Sequence, residues 1–116
     1  MQTYRDLTVW QKSMQLVKAT YELIKHFPKE ENYALSDQMR RAVISIPSNI
    51  AEGYGRSSDK DYAHFLSISR GSTFELDTQI RAAIMLDYIS EEQAKESLVL
   101  CEECTKILNT LIKNRT

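Results

Sequence analysis

The chain has 116 residues, 42% of them apolar and 27% charged, with a formal net charge of −1 and a sequence pI near 6.1. This describes one domain, residues 1–116, able to bury its own core, and the near-neutral balance gives no overall pull toward nucleic acid or an anionic membrane. Three Gly and two Pro are too few for the many turns of a β or α/β protein.

The first helix is predicted from about Thr8 to Phe27. Trp10, Met14, Val17, Tyr21 and Ile24 recur at steps of four and three and form its expected core row. Val9, Leu16, Leu23 and Phe27 make a second row, so the apolar arc covers roughly half the circumference, wider than the usual stripe of about 100°. Pro28 stops the helix.

The second helix is predicted from Tyr33 to Gly53 on a core row of Leu35, Met39, Val43, Ile46 and Ile50. Pro47 lacks the N–H that would reach the Val43 carbonyl, yet the row continues in phase through it. One helix kinked at Pro47 is therefore expected, closed by Gly53 and Gly55.

Ser57 or Ser58 caps the third helix, with Asp59 and Asp61 at the positive end of its dipole. Phe65, Leu66, Ser69, Thr73, Leu76, Ile80 and Ala83 share one face, and the helix ends near Asp87 or Tyr88. The fourth opens with Ser90 and Gln93 in capping-box spacing. Its apolar face carries Ala94, Cys101, Cys104, Leu108, Leu111 and Ile112. Four amphipathic helices with short connections predict an all-α, up-and-down antiparallel four-helix bundle.

Residues with reactive side chains have structural readings. Cys101 and Cys104 match C-x-x-C, but they lie mid-helix on the apolar face, without the helix N-terminus that a redox thiol needs or further ligands for zinc. His26 and His64 stand in no metal spacing and read as surface or helix-end residues. Gly53-Tyr54-Gly55 lacks the third glycine of a dinucleotide fingerprint and the lysine of a P-loop, and reads as a helix-ending turn. No catalytic, metal or cofactor-binding residue is assigned, and no small-molecule substrate is expected. The polar N-terminus has no apolar stretch of a signal peptide, and no apolar run approaches a membrane span. A cytoplasmic protein without membrane contact is expected.

Three groups lie off the core rows. Ile44, Ala51, Phe74 and Arg81 form a candidate oligomer interface, an aromatic beside arginine being typical of an interface centre. Ser45, Ser48, Asn49, Glu52 and Arg70 form a polar cluster, read either as support for the Pro47 kink with ion pairing between helices or as a ligand site. Arg40, Arg41, Arg56, Lys60 and Arg70 concentrate positive charge on the middle helices, with Tyr54 and Tyr62 among them. That composition suits nucleic-acid contact or salt bridges between subunits.

Several segments carry a resemblance: Asp6-Leu7-Thr8-Val9-Trp10-Gln11-Lys12, Phe27-Pro28, Gln38-Met39-Arg40-Arg41-Ala42, Ser45-Ile46-Pro47-Ser48-Asn49-Ile50-Ala51-Glu52-Gly53, Arg70-Gly71-Ser72 and Glu75-Leu76. This ordered string resembles the small four-helix-bundle proteins encoded in intervening sequences of large-subunit ribosomal RNA genes. The accessory proteins of diversity-generating retroelements look like relatives. The resemblance implies a homopentamer with no known catalytic activity. The retroelement proteins are basic and bind nucleic acid and a reverse transcriptase; this chain departs from them in its pI.

The sequence thus supports a non-catalytic homo-oligomeric scaffold whose partners are itself and RNA, DNA or a nucleic-acid enzyme. A protein-binding adaptor without nucleic-acid contact is the alternative. A small enzyme using Glu52 and Arg70 is a third, and it requires a pocket where those side chains converge.

Overall fold

The computed structural model of the chain describes residues 3–116. Among these, four α-helices follow one another: α1 Thr8–Ile24, α2 Leu35–Tyr54, α3 Asp59–Met85 and α4 Glu91–Lys113. Each packs against its neighbours in sequence and α4 returns to α1, while the backbones of the diagonal pairs stay farther apart. The result is an up-and-down four-helix bundle, 43 Å long and 25 × 23 Å across. The 27 residues of α3, at about 1.5 Å each, account for its length.

Caps set the helix starts. The Ser58 side chain accepts from the Asp61 N–H to open α3. At α4, the Ser90 hydroxyl accepts from the Gln93 N–H at 3.1 Å and the Gln93 carboxamide accepts from the Ser90 N–H at 2.8 Å, the reciprocal capping box. Ahead of α2, the carboxylate of Glu31 does this work from a distance. One oxygen accepts from the Leu35 N–H at 3.2 Å, and the other accepts from the Tyr88 hydroxyl at 2.7 Å. The α3–α4 turn places Asp87 at φ 61°, a left-handed conformation that Asp tolerates better than most residues.

The first helix departs from expectation in its rotation. Its buried residues are Val9, Ser13, Leu16, Thr20, Leu23 and Ile24. The predicted second row is thus the core, completed at steps of four and three by two small hydroxyl residues. Trp10 and Val17 are only partly buried, and Met14 and Tyr21 are exposed. The helix also ends at Ile24, and a single turn carries the chain to a buried Phe27.

The second helix runs as one element through Pro47. The carbonyls before the proline ring are met by side chains: Ser48 Oγ donates to the Ile44 carbonyl at 2.8 Å, Asn49 Nδ2 to that of Ser45 at 2.8 Å, and Ser69 Oγ to that of Ile46 at 2.9 Å. Of the neighbouring serines expected to support the proline, Ser48 bonds a carbonyl of its own helix, while the Ser45 hydroxyl meets Ser72 on α3 instead. Gly53 lies inside the helix and does not end it. A Cβ there would sit 2.8 Å from Phe65 Cβ and 3.2 Å from the Tyr62 carbonyl oxygen, so glycine is required by the close approach of α2 and α3. Phe65, expected in the core row, is half-buried at this crossing.

Candidate interaction surface

The reactive side chains resolve first. Cys101 and Cys104 are buried free thiols in the wall of α4. Burial pushes the Cys101 thiol up to about 12 and the Cys104 thiol up to about 11, so neither is a thiolate nucleophile near neutrality. His26 and His64 are exposed. Among the described residues, no three His, Cys, Asp or Glu side chains gather where a metal ion could be held, and no helix is long and apolar enough to cross a membrane.

The expected polar cluster divides. Ser45, Asn49 and Ser72 join α2 to α3: the two serine hydroxyls lie 2.9 Å apart, and Asn49 Nδ2 donates to Ser45 Oγ at 2.9 Å. Ser48 turns back to its own helix. Glu52 and Arg70 stand outside. Glu52 pairs with Arg56 at 2.9 Å, while Arg70 reaches across to Asn109 Oδ1 on α4 at 2.8 Å. Neither Glu52 nor Arg70 lines the three principal surface depressions.

The basic residues occupy separate stations. Arg41 pairs with Asp37 at 3.1 Å. Arg40 donates to the side-chain and main-chain oxygens of Asn32. Fourteen residues of helix, roughly 21 Å, run from Arg40 to the end of α2 at Tyr54, two residues before Arg56, whose guanidinium lies 4.6 Å from the Phe65 ring centroid. Lys60 is exposed in the first turn of α3, and Arg70 faces α4. Arg40, Arg56 and Arg70 thus each have a different local partner.

The apolar residues off the core do gather. A groove of ≈ 840 Å³ runs between α3 and α4, its apolar floor made by Phe74, Leu98 and Val99. Phe74 is 51% exposed and Val99 46%. Arg81 lies in the same groove, held to Asp77 at 2.7 Å. The interface residues expected on α3 are thus brought together, and α4 adds Leu98 and Val99, which the sequence reading did not single out.

A second apolar strip lies along the α1–α2 seam. Tyr21 shares a crevice with Ser36 and Arg40, which places its side of α1 against α2. Trp10, Met14, Val17 and Tyr21 follow that side at steps of four and three. Arg40, Ile44, Pro47 and Ala51 follow the facing side of α2 at the same steps. Met14 is 42% exposed, Tyr21 39% and Ile44 44%, while Ala51 is half-buried. Ile44 and Ala51 therefore belong to a different face from Phe74 and Arg81.

These features define a class: a small up-and-down helical bundle that leaves apolar side chains exposed along two of its seams and at its end connections. The chain belongs to the 23S rRNA-intervening sequence protein family, whose model matches residues 5–110. It is similar to the crystal structure of a protein of unknown function from the S23 ribosomal protein family of Bacteroides thetaiotaomicron. The two are 26% identical, with a TM-score of 0.84 covering 91% of this chain and 99% of that one. No curated protein matches the chain.

Proposed function

We propose that the chain is a subunit of a homo-oligomeric, non-catalytic scaffold that assembles through its outer seams. The observation that carries this reading is the apolar surface left in water by a single bundle: Met14, Tyr21 and Ile44 on one side, Phe74 and Val99 on the other. Full burial of such a side chain contributes about 1.5–3 kcal/mol. Five of them, half covered already, leave roughly 4–8 kcal/mol to be gained. That is comparable to the low end of the association cost of about 4–15 kcal/mol, so contacts on both sides of each subunit favour a closed assembly over an isolated pair. The resemblance makes a pentamer the order to look for. The buried free thiols suit a cytoplasmic protein.

Glu52 and Arg70 engage different partners, Arg56 and Asn109, and neither lines the principal surface depressions, which supports the non-catalytic half of the proposal. Sedimentation velocity over a concentration series tests the assembly: a protein that stays monomeric at micromolar concentration overturns it. Phe74→Glu is expected to lower the sedimenting mass.

A second reading, nucleic-acid contact by the assembled scaffold, is favoured by Lys60. Among the described residues it has no carboxylate partner, and assembly repeats it once per subunit. RNA and DNA binding followed against salt is the check. Phosphate contacts give a steep fall in affinity with salt; absence of binding at low salt leaves a protein-binding adaptor.

A further inference from the structure

Because α1, α2, α3 and α4 are neighbours in that order around a ring, with α4 beside α1, the α1–α2 seam and the α3–α4 groove lie on opposite sides of the bundle. We infer that they are the two halves of one joint: the α1–α2 seam of one copy seats in the α3–α4 groove of the next, with Ile44 against Phe74. This rests on the proposed self-association and adds which surfaces meet.

Height and charge carry the inference. The Ser45–Ser72 contact fixes the register of the antiparallel pair α2 and α3. Counting from it, Ile44 is level with Thr73 and Arg40 is level with Asp77. Ile44 and Phe74 therefore stand within about one residue rise, ~1.5 Å, of the same height. A neighbour generated by rotation about an axis parallel to the helices keeps every height, so the two apolar centres meet without a shift along the bundle. Contacts of this unlike-face kind close on themselves when the rotation permits.

The charges match in the same register. Among the described residues, the acceptors that Arg40 meets are the Asn32 oxygens. Asp77, Glu91, Glu92 and Glu102 line the groove against Arg81, Lys95 and Lys106, an excess of one carboxylate. Seating the seam in the groove brings Arg40 to Asp77. Groove on groove would bring carboxylates together, and seam on seam would oppose Arg40 to its own copy; both are penalised as like-charge contacts.

Cysteine substitution tests the joint. Ile44 and Phe74 are exposed, whereas the native Cys101 and Cys104 are buried, so a short bis-maleimide reads the introduced thiols above the background of the parent protein. An equimolar mixture of Ile44→Cys and Phe74→Cys is expected to give cross-linked dimers, with little or none from either variant alone. Cross-linking of one variant alone as efficient as that of the mixture overturns the pairing of unlike faces. So does a mixture without cross-links while the parent sediments as an oligomer. A monomeric parent sinks the scaffold proposal itself, and the joint with it. As a second measurement, Ile44→Glu and Phe74→Glu should each reduce assembly with unchanged helical circular dichroism, and mixing them should restore dimers through their undamaged faces. Failure to form those dimers at concentrations where the parent is fully assembled counts against the joint.

Discussion

Phe65 lies against α2 because Gly53 has no Cβ; one placed there would come within 2.8 Å of the Phe65 Cβ. The atoms in the way are the root of a side chain and, at 3.2 Å, the Tyr62 carbonyl, neither of which can swing aside. Gly53→Ala is therefore expected to lower stability by about 1–3 kcal/mol, the usual range for overpacking. This holds even though alanine is intrinsically the better helix former. Urea unfolding of the two proteins measures it, and an unchanged midpoint would show that the helices can part without cost.

Gly71 is the opposite case. It sits inside α3 with nothing within 4 Å of the position a Cβ would take. Gly71→Ala should stabilise the fold by roughly 0.5–1 kcal/mol through the restricted unfolded chain. A loss of oligomer mass accompanying that gain would mean that a neighbouring chain approaches α3 at this point.

Thr20 is fully buried and its hydroxyl has no hydrogen-bond partner among the described residues. An unsatisfied buried hydroxyl costs about 1–3 kcal/mol. Thr20→Val keeps the shape and removes that cost, so a rise of about 1 kcal/mol or more is expected in thermal or urea unfolding. A destabilised variant would indicate that a water or a shifted rotamer satisfies the hydroxyl.

The two thiols give a pH dependence. Their folded values, about 12 for Cys101 and about 11 for Cys104, lie above the reference value of 9.0. Above pH 9 the unfolded chain binds fewer protons than the native one, so the slope of stability with pH is negative. The contribution is complete below about 9 and is lost as pH rises through 9 toward 12. Cys101→Ala/Cys104→Ala should flatten this alkaline decline, whatever its effect on absolute stability. In the unsubstituted protein at pH 8, a thiol reagent should modify these cysteines only at the rate of opening.

The order of helices, the α4 capping box, passage through Pro47 and the inert cysteines are all legible in the sequence, because they follow from local spacing and chemistry. The facing of α1 is misread for a definite reason. Two of its core positions hold Ser13 and Thr20, so a tally of apolar residues favours the row of Trp10, Met14 and Tyr21. The steps from Val9 through Ser13, Leu16 and Thr20 to Leu23 carry the right signal once small hydroxyls are allowed in a core. Arg56 is one of three arginines (Arg41, Arg56, Arg70) that the sequence puts within reach of Glu52, and it is the one that pairs. The partner of Arg70, by contrast, is not legible, since it depends on the register of α3 against α4. Nor is the grouping of Phe74 with Val99, which requires knowing which seam each helix borders.

Glu31 binds both the first turn of α2 and, through Tyr88, the turn leading into α4. Tyr88 in turn packs at a tilt against Phe27, with ring centroids 5.5 Å apart. The two connections at this end of the bundle are therefore joined by one carboxylate and one aromatic pair, although 57 residues separate Glu31 from Tyr88 along the chain. Fraying of one connection removes a partner from the other, so this end opens as a single cooperative unit. In hydrogen exchange, the Leu35 and Tyr88 amides would then share one opening free energy, and Tyr88→Phe would lower it for both.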